Sequence, residues 1–244
     1  MSSPEAAIGA AVLRSTAQIH AARRSLDARG LSALSPAVLR FLARRRWWRR
    51  PVTGDWLKSW DVELTLSRVI AECAPGDLIV DMGAYGCEII PALSRAGFRN
   101  LLGVDLEPRL ERIPAGPGVR WQVGDFLDPA AATGQAAAVT SISVIEHGFD
   151  GAKLAKAVSA WLRPGGLFLA SFDYWPEKID TSAIRLFNLS WTIFSRAEIA
   201  AFLTEAARHG LHPAGPVDLE AADRVIRWGG QAYTFGWLAL RKTG

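Results

Sequence analysis

The sequence predicts an α/β fold in which a mostly parallel sheet has helices on both faces. From Trp56 onward, apolar stretches of strand length alternate with stretches that have the apolar spacing of helices, and this alternation is typical of a parallel sheet. Several of the apolar stretches are nearly continuous, as expected of strands buried on both faces. The length of 244 residues fits one such domain with a short appendage.

A basic helical arm is predicted to come first, over residues 1–54. Apolar residues recur near helical spacing from Pro4 to about Ala28, and a second short helix follows Pro36. Pro51 then interrupts the pattern. We therefore expect the domain proper to span residues 55–244.

Positive charge is concentrated in this arm. Residues 1–50 contain ten arginines against Glu5 and Asp27, whereas the whole chain has a net formal charge of +4. The remaining chain is therefore acidic. The run Arg44 to Arg50, which includes Trp47, is a candidate contact for RNA, through phosphates and stacking, or for an anionic membrane surface. A solvated helix end packed on the domain is the alternative.

The two cysteines indicate a cytoplasmic protein. Cys73 and Cys87 form no CxxC pair and have no histidine at zinc-ligand spacing, so neither a disulfide framework nor a metal site is expected. No apolar run approaches the roughly 18 to 20 residues of a membrane span. The N-terminus also lacks the pattern of a signal peptide.

The predicted elements follow one another along the domain. The strands are Leu78 to Asp81, Asn100 to Asp105, Val119 to Gly124, Ala138 to Ile145, Leu167 to Phe172, His212 to Leu219 and Ala232 to Arg241. The helices between them are Glu88 to Ala96, Ala152 to Trp161 and Arg196 to Arg208. The last helix is preceded by Ser195 and has Glu198 three residues later, which predicts a capping box.

The segment from Leu78 to Glu88 is the strongest local feature. An apolar strand runs into Asp81, a turn containing Gly83 and Gly86, and then a helix. Glycines let the backbone approach a ligand closely, and a helix N-terminus offers free N–H groups. The dinucleotide pattern GxGxxG is absent, and Asp81 would bring a carboxylate near a pyrophosphate, so a dehydrogenase is disfavoured. The segment favours a cationic, phosphate-free cofactor; a tight turn without a ligand is the alternative.

Two further acids follow the next two predicted strands. Asp105 ends the second strand, where a carboxylate can accept hydrogen bonds from both hydroxyls of a ribose. Asp125 and Phe126 follow the third strand, where they are suited to an adenine amino group and ring. Each acid alone is more typical of a solvated loop charge. Three at successive strand ends favour a ligand, because open α/β sheets bind ligands at that edge.

From Trp56 to the C-terminus, the chain resembles the class I S-adenosylmethionine-dependent methyltransferases in the order of its motifs. Val80 to Ala84 is similar to the family's first motif, Ser143 to His147 to its fourth-strand motif, and Leu162 to Leu167 to the turn before the fifth strand. The resemblance implies a Rossmann-like, seven-stranded sheet whose last strand is antiparallel, and S-adenosyl-L-methionine as the cofactor. The cofactor-binding candidates are Trp60 (as a lid), Asp81, Gly83, Ala84, Tyr85, Gly86, Asp105, Leu106, Asp125, Phe126, Ser143 and Glu146.

The glycine loop departs from the family pattern Asp-x-Gly-x-Gly-x-Gly. Tyr85 and Cys87 occupy the second and third glycine positions, and Gly86 is displaced by one. This departure leaves open a second class of function, a cofactor-binding regulatory or scaffold protein without catalysis.

The methyl acceptor is expected to bind near the fourth and fifth strands. His147 is the first candidate for a catalytic base and Asp173 the second; a structural histidine is the alternative for His147. The segment Ser171 to Thr181 resembles a subgroup of bacterial methyltransferases, some linked to sugars or small molecules. The acceptor is therefore expected to be a hydroxyl or amine of a small molecule or sugar. The candidate substrate residues are Tyr174, Trp175 and Trp191; for the two tryptophans, packing of the loop onto the core is the alternative.

Overall fold

The structure of the protein, a computed structural model, describes residues 8–45, 47, 52–128, 132–186 and 188–244. Residues 4–7 of the predicted first helix lie outside this part of the chain, as do Arg46, Trp48, Arg49 and Arg50 of the basic run. The helices are α1 (Thr16–Ala28), α2 (Ala37–Arg44), α3 (Ser59–Glu72), α4 (Ile89–Arg95), α5 (Gly151–Trp161) and α6 (Arg196–Arg208). Short 3-10 helices occupy Trp56–Lys58 and Pro108–Arg112.

The strands form the α/β sheet that the sequence predicts. They are β1 (Ala10–Val12), β2 (Ile79–Met82), β3 (Leu101–Asp105), β4 (Val119–Val123), β5 (Ala136–Ile142), β6 (Leu162–Tyr174), β7 (Arg185–Leu186), β8 (Leu189–Ser190), β9 (Leu211–Pro213), β10 (Ile226–Trp228) and β11 (Gln231–Lys242). The main sheet has nine strands rather than the seven implied by the resemblance: seven follow the order β4-β3-β2-β5-β6-β11-β1, and the short strands β9 and β10 also pair with β11. Strands β7 and β8 pair separately.

Strands β2 to β6 run parallel, and β11 runs antiparallel beside β6. The antiparallel last strand is therefore confirmed. The chain reverses direction along the sheet at β2, whose parallel neighbours are β3 on one side and β5 on the other. Ligands of open α/β sheets bind at such a point, at the carboxyl ends of the strands.

The N-terminal segment differs from the single helix predicted there. Ala10–Val12 form β1, which pairs antiparallel with β11, and Ala10 also bridges to Val217. Residues 9–13 thus lie between β11 and residues 216–218. The predicted strand His212 to Leu219 is consequently reduced to β9, because the N-terminal strand takes the place beside β11 that the rest of it was expected to fill.

Two hydrophobic layers enclose the sheet. One includes Leu26 of α1, Leu66 of α3 and Leu93 of α4, and the other includes Val158 of α5 and Phe202 of α6. The capping box of α6 is confirmed, since Ser195 and Glu198 satisfy each other's backbone N–H groups. Helix α3 was missing from the sequence prediction.

Candidate functional site

The candidate site lies at the carboxyl ends of the parallel strands, where the predicted acids come together. Asp81 lies within β2, Asp105 ends β3, and Asp125 follows β4. Glu146 follows β5 and Asp173 lies near the end of β6. The predicted series of acids along one sheet edge is therefore present, although burial differs: Asp81 and Glu146 are fully buried, whereas Asp125 is exposed.

Gly83 and Gly86 shape the loop after β2. Their φ angles are 78° and 77°, in the left-handed region that favours glycine. A Cβ on Gly83 would lie 2.2 Å from Cγ2 of Val144, so the loop touches the connection after β5. The backbone N–H of Tyr85 donates to Oδ2 of Asp105 at 2.9 Å. The loop is thereby fixed to the end of the neighbouring strand.

Asp81 is a structural acid beneath this loop. Its Oδ1 accepts a hydrogen bond from the Thr140 hydroxyl on β5 at 2.6 Å. Burial raises the pKa of Asp81 to about 7, and burial also raises the pKa of the neighbouring Cys87 thiol. Cys87 thus occupies the third glycine position of the family pattern beside a buried carboxyl group, and it has a negative φ angle like most residues.

Asp105 presents its carboxylate at the edge of the loop. Besides the Tyr85 N–H, it accepts the N–H of Glu107 through Oδ1 at 2.9 Å. It is half-buried, and each carboxylate oxygen has a second lone pair for a ligand hydroxyl. Leu106, the next residue, is 59% exposed.

The pair Asp125 and Phe126 follows β4, one strand further out. The carboxylate of Asp125 caps its own turn by accepting the N–H of Leu127 at 2.9 Å. Phe126 is half-buried against the hydrophobic layer of α5 and α6.

Ser143 begins the connection after β5 in a strained conformation. Its φ is 56°, which is uncommon for a residue with a side chain and is typical of functional sites. The Ser143 hydroxyl donates to Oε1 of Glu146 at 2.5 Å. The other oxygen of Glu146 is buried and has no hydrogen-bond partner among the described residues. Burial raises the pKa of Glu146.

A cavity of about 230 Å³ opens beside this connection. It joins the ends of β5 and β6 to β10 and β11. Its lining residues are Asp55, Leu57, Lys58, Ser143, Glu146, His147, Asp173, Ile226, Trp228, Tyr233 and Phe235.

Asp173 and His147, the two predicted bases, both face this cavity. Asp173 is 4% exposed, and its Oδ2 accepts the indole N–H of Trp191 at 2.8 Å. Burial and then the charge of Glu146 raise the pKa of Asp173 to about 7. Burial lowers the pKa of half-buried His147, which keeps the imidazole neutral. Burial and then the charge of Asp173 raise the pKa of Tyr233.

Lys58 is a cavity residue that the sequence analysis did not single out. Its ammonium lies 3.2 Å from the centre of the Phe235 ring and 3.5 Å from Oδ2 of buried Asp61. It is the cation of a cavity whose other charged groups are mainly carboxyls. The possible signal was the spacing of Lys58 and Asp61 by one helical turn, but nothing in the sequence places them against β11.

Arg23 and Glu88 form a second arrangement that was missed. Both side chains are 1% exposed, and the guanidinium binds both oxygens of the carboxylate at 2.7 and 2.9 Å. Glu88 also accepts the N–H of Ala33 at 3.0 Å, and Arg23 donates to Ser59. Glu88 directly precedes α4, so the N-terminal segment is tied to the end of the glycine loop.

Trp60 and the three predicted substrate residues do not line the cavity; Trp191 is buried and reaches Asp173 through its indole N–H. Trp60 lies in α3 and is buried in the hydrophobic layer that includes α1. The hydroxyl of fully buried Tyr174 donates to the carbonyl of Leu219 at 2.7 Å. Trp175 is 9% exposed, and the Arg224 guanidinium covers its ring at 4.4 Å. The rings of Trp60, Tyr174 and Trp175 are thus largely covered by the protein itself.

A larger cavity of about 420 Å³ lies elsewhere on the sheet. It is lined by Leu78, Leu102, Trp121 and Trp161 together with Arg120, Gln122 and Thr133, and it contains no carboxyl group. Size alone therefore does not identify the site. Over the described parts of the chain, no cluster of three or more metal-ligating side chains occurs, and no helix is both long and apolar enough to cross a membrane.

The residues present fit S-adenosylmethionine. Gly83 and Gly86 hold the loop after β2 in the left-handed conformation, and glycines let the backbone approach a ligand closely. Asp105 keeps acceptor capacity at the loop's edge. The cavity with Asp173 and His147 continues along the same sheet edge, where an acceptor would meet the methyl group.

Comparisons with known proteins agree with this geometry. Residues 80–170 match the family model described as "Methyltransferase domain". A comparison with curated proteins found no match. Among solved structures, the chain is similar to geranyl diphosphate C-methyltransferase from Streptomyces coelicolor A3(2), solved with Mg²⁺, geranyl diphosphate and S-adenosyl-L-homocysteine. The identity is 20%, 77% of this chain and 80% of that chain are covered, and the TM-score is 0.58.

Two further structures have the same fold. A methyltransferase from Mesorhizobium loti that depends on S-adenosylmethionine is 15% identical over 74% of this chain and 98% of that chain, with a TM-score of 0.51. An S-adenosylmethionine-dependent methyltransferase from Methanosarcina mazei is 12% identical over 72% of this chain and 96% of that chain, with a TM-score of 0.54. At these identities, the likeness concerns the fold.

Proposed function

Because residues 80–170 match the family model of a methyltransferase domain and the chain has the fold of class I S-adenosylmethionine-dependent methyltransferases, we propose that it methylates a hydroxyl or amine of a small molecule or sugar. S-adenosylmethionine supplies the methyl group as an electrophile bound to a sulfonium. The observation that supports an oxygen or nitrogen acceptor is the buried carboxyl group of Asp173. It faces a cavity at the carboxyl ends of β5 and β6.

The cavity suits a small acceptor group. Its volume of about 230 Å³ is below the roughly 300–1,000 Å³ of sites for drug-sized ligands. Carboxyl groups and the rings of Trp228 and Tyr233 line it, and such groups bind ammonium and hydroxyl donors.

Asp173 is proposed to accept the proton. As the acceptor's oxygen or nitrogen forms a bond to the methyl carbon, the bond from that carbon to sulfur breaks, and the acceptor's proton passes to the Asp173 carboxylate. The Trp191 indole holds the carboxylate in place through its hydrogen bond of 2.8 Å. His147, neutral and half-buried, lines the same cavity. Most of the catalytic effect is expected from alignment and exclusion of water.

Calorimetric titration with S-adenosylmethionine tests the cofactor site. Asp105→Ala is expected to weaken binding about 10- to 100-fold, because hydrogen bonds to a charged group contribute about 1.5–3 kcal/mol. Asp27→Ala, which removes an exposed carboxylate at the end of α1, is the control and should bind normally. Absence of binding by the unaltered protein would contradict methyl transfer from S-adenosylmethionine, whereas binding without methyl transfer to any acceptor would support the cofactor-binding regulatory or scaffold alternative.

The pH dependence of methyl transfer tests the base. A base acts when deprotonated, so with an Asp173 pKa of about 7 the rate at pH 6 should be about tenfold below its plateau above pH 8. Asp173→Asn should lose most of the activity while still binding S-adenosylmethionine. If His147 were the base, its lowered pKa would place the rise below pH 6.5, and His147→Gln rather than Asp173→Asn would abolish it.

A reducing compartment is part of the proposal. Both Cys73 and Cys87 are free thiols, as is usual in the cytoplasm.

A further inference from the structure

Ser35 and Thr53, the two ends of a stretch in the N-terminal part of the chain, are hydrogen-bonded to each other. The N–H of Ser35 donates to the carbonyl of Thr53 at 2.8 Å, and the N–H of Thr53 donates to the Ser35 hydroxyl at 2.8 Å. Between these ends lies the short helix α2. We call the described residues of this stretch, 35–45, 47, 52 and 53, the anchored segment.

The anchored segment exposes three large apolar side chains. Val38 is 60% exposed, Phe41 is 52% exposed, and Trp47 is 76% exposed. Val38 and Phe41 are one helical turn apart and therefore share a face, whereas Leu39 and Leu42 are half-buried. Three of the four most exposed large apolar side chains in the described part of the chain are in this segment. Such clustering marks an interaction site rather than scattered surface residues.

The same segment is strongly basic. No acidic residue occurs between Asp27 and Asp55, and the ion pairs of the described residues include neither Arg40 nor Arg45. Arg45 is exposed and lies on the Val38–Phe41 side, with its guanidinium 5.3 Å from the centre of the Phe41 ring. The outer surface thus combines apolar groups with positive charge that is not neutralised.

We propose that the anchored segment docks the protein on an anionic lipid surface. Arginines attract negatively charged headgroups, aliphatic and aromatic side chains enter the boundary of the acyl chains, and tryptophan is favoured at headgroup depth. RNA would use the arginines and aromatic rings, but an aliphatic side chain such as Val38 adds nothing to base stacking. The exposed Val38–Phe41 face therefore favours lipid over RNA.

Docking at this surface brings the methyl-transfer site beside the membrane. The residue after the segment, Gly54, donates its N–H to the carbonyl of Gly86 in the glycine loop at 2.7 Å. The following residues Asp55, Leu57 and Lys58 line the cavity. The inference goes beyond the proposed function, and its test requires no methyl transfer.

Sedimentation of the full chain with vesicles tests the proposal. The protein should bind vesicles of phosphatidylcholine with about 30% phosphatidylglycerol and be released by high salt, because basic residues contribute about 1 kcal/mol each at an anionic surface. Binding to pure phosphatidylcholine should be at least about tenfold weaker. The double variant V38D/F41D should lose about tenfold or more in binding, and Arg45→Ala about fivefold.

Matched controls replace residues outside the anchored segment. Val217→Asp changes a side chain that is 44% exposed, and Arg24→Ala changes an exposed arginine of α1; neither should alter vesicle binding. Circular dichroism would show that V38D/F41D remains folded, and Trp47→Ala repeats the test with a milder change. Equal binding of wild type and V38D/F41D would overturn the proposal. So would retention on single-stranded RNA without any vesicle binding, which would assign the segment to RNA.

Discussion

At the scale of single residues, buried carboxyl groups determine the properties of the site. Asp81 and Asp173 both have pKa values raised to about 7 by burial, yet their surroundings differ. Asp81 is held by Thr140 beneath the loop, whereas Asp173 faces a cavity. Only a group that a substrate can reach can exchange a proton with it, and of these two carboxyl groups Asp173 is the one that lines a cavity.

The glycine loop also depends on one residue, Gly83. Gly83→Ala is expected to cost more free energy of unfolding than Gly30→Ala. Both glycines have positive φ, 78° and 67°, but a Cβ at Gly83 would lie 2.2 Å from Val144 whereas nothing lies within 4 Å at Gly30. The left-handed conformation alone costs about 1–2 kcal/mol, and overpacking adds about 1–3 kcal/mol. Urea denaturation measures the free energy of unfolding of Gly83→Ala and of Gly30→Ala.

A second substitution separates strain from crowding at Gly83. The double variant G83A/V144A should recover much of the crowding cost while retaining the cost of the backbone conformation. Equal losses in Gly83→Ala and Gly30→Ala would contradict close contact between the loop and the connection after β5.

At the scale of elements, a buried ion pair between Arg23 and Glu88 joins α1 to the end of the glycine loop. Arg23 and Glu88 are each 1% exposed, and removing one partner leaves the other charged and buried. Arg23→Met is therefore expected to lower the free energy of unfolding by about 3–5 kcal/mol. Denaturant titration of Arg23→Met, Glu88→Met and the double variant gives the coupling energy, and the double variant should cost less than the sum of the two.

An exposed ion pair provides the comparison. Arg196 and Glu220 are 2.8 Å apart, but their side chains are 47% and 74% exposed, so either single variant should change stability by less than about 1 kcal/mol. If Arg23→Met also lowered the free energy of unfolding by less than about 1 kcal/mol, water would have to reach the Arg23–Glu88 pair.

Sequence patterns predicted the elements whose signals are local. The buried strands β2, β3, β5 and β6 have apolar runs, and α6 has its capping box within four residues. Asp81 and Asp105 were predictable because each ends an apolar run, and Asp125 because it follows the next predicted strand. The Arg23–Glu88 pair was not, since its partners are 65 residues apart and arginine is normally exposed. Lys58 was missed because its ring partner, Phe235, lies on the last strand.

The same reasoning explains the errors at the two ends of the sheet. Ala10–Val12 have no pattern that distinguishes a three-residue strand from a helix, and their pairing partner is β11, more than two hundred residues later. Tyr174 and Trp175 adjoin a functional acid in sequence, but successive side chains of a strand point to opposite faces. Tyr174 therefore lies on the other side of the sheet from Asp173.

At the scale of the whole molecule, the N-terminal strand closes the sheet between its last strand and residues 216–218. Val12 and Leu13 are 3% and 0% exposed. The N–H of Leu13 donates to the carbonyl of Phe235 at 2.9 Å, and the carbonyl of Leu13 accepts a hydrogen bond from the Thr234 hydroxyl. Segments far apart in the sequence thus form one unit, and the arginine-rich composition of residues 1–54 does not coincide with a boundary in packing.

Removing this strand tests its role in the whole fold. Deletion of residues 1–13 is expected to lower the free energy of unfolding by about 3–6 kcal/mol, because burying each of Val12 and Leu13 contributes about 1.5–3 kcal/mol. It should also promote self-association, since an edge of β11 becomes unpaired. Denaturant titration and size-exclusion chromatography with light scattering measure the two effects. Deletion of residues 1–7, which leaves β1 intact, is the control. A synthetic peptide of residues 8–15 should restore the stability of the 1–13 deletion variant by adding the missing strand in trans, whereas a scrambled peptide should not. If the 1–13 deletion variant were as stable and monomeric as the 1–7 control, β11 would not need the N-terminal strand beside it.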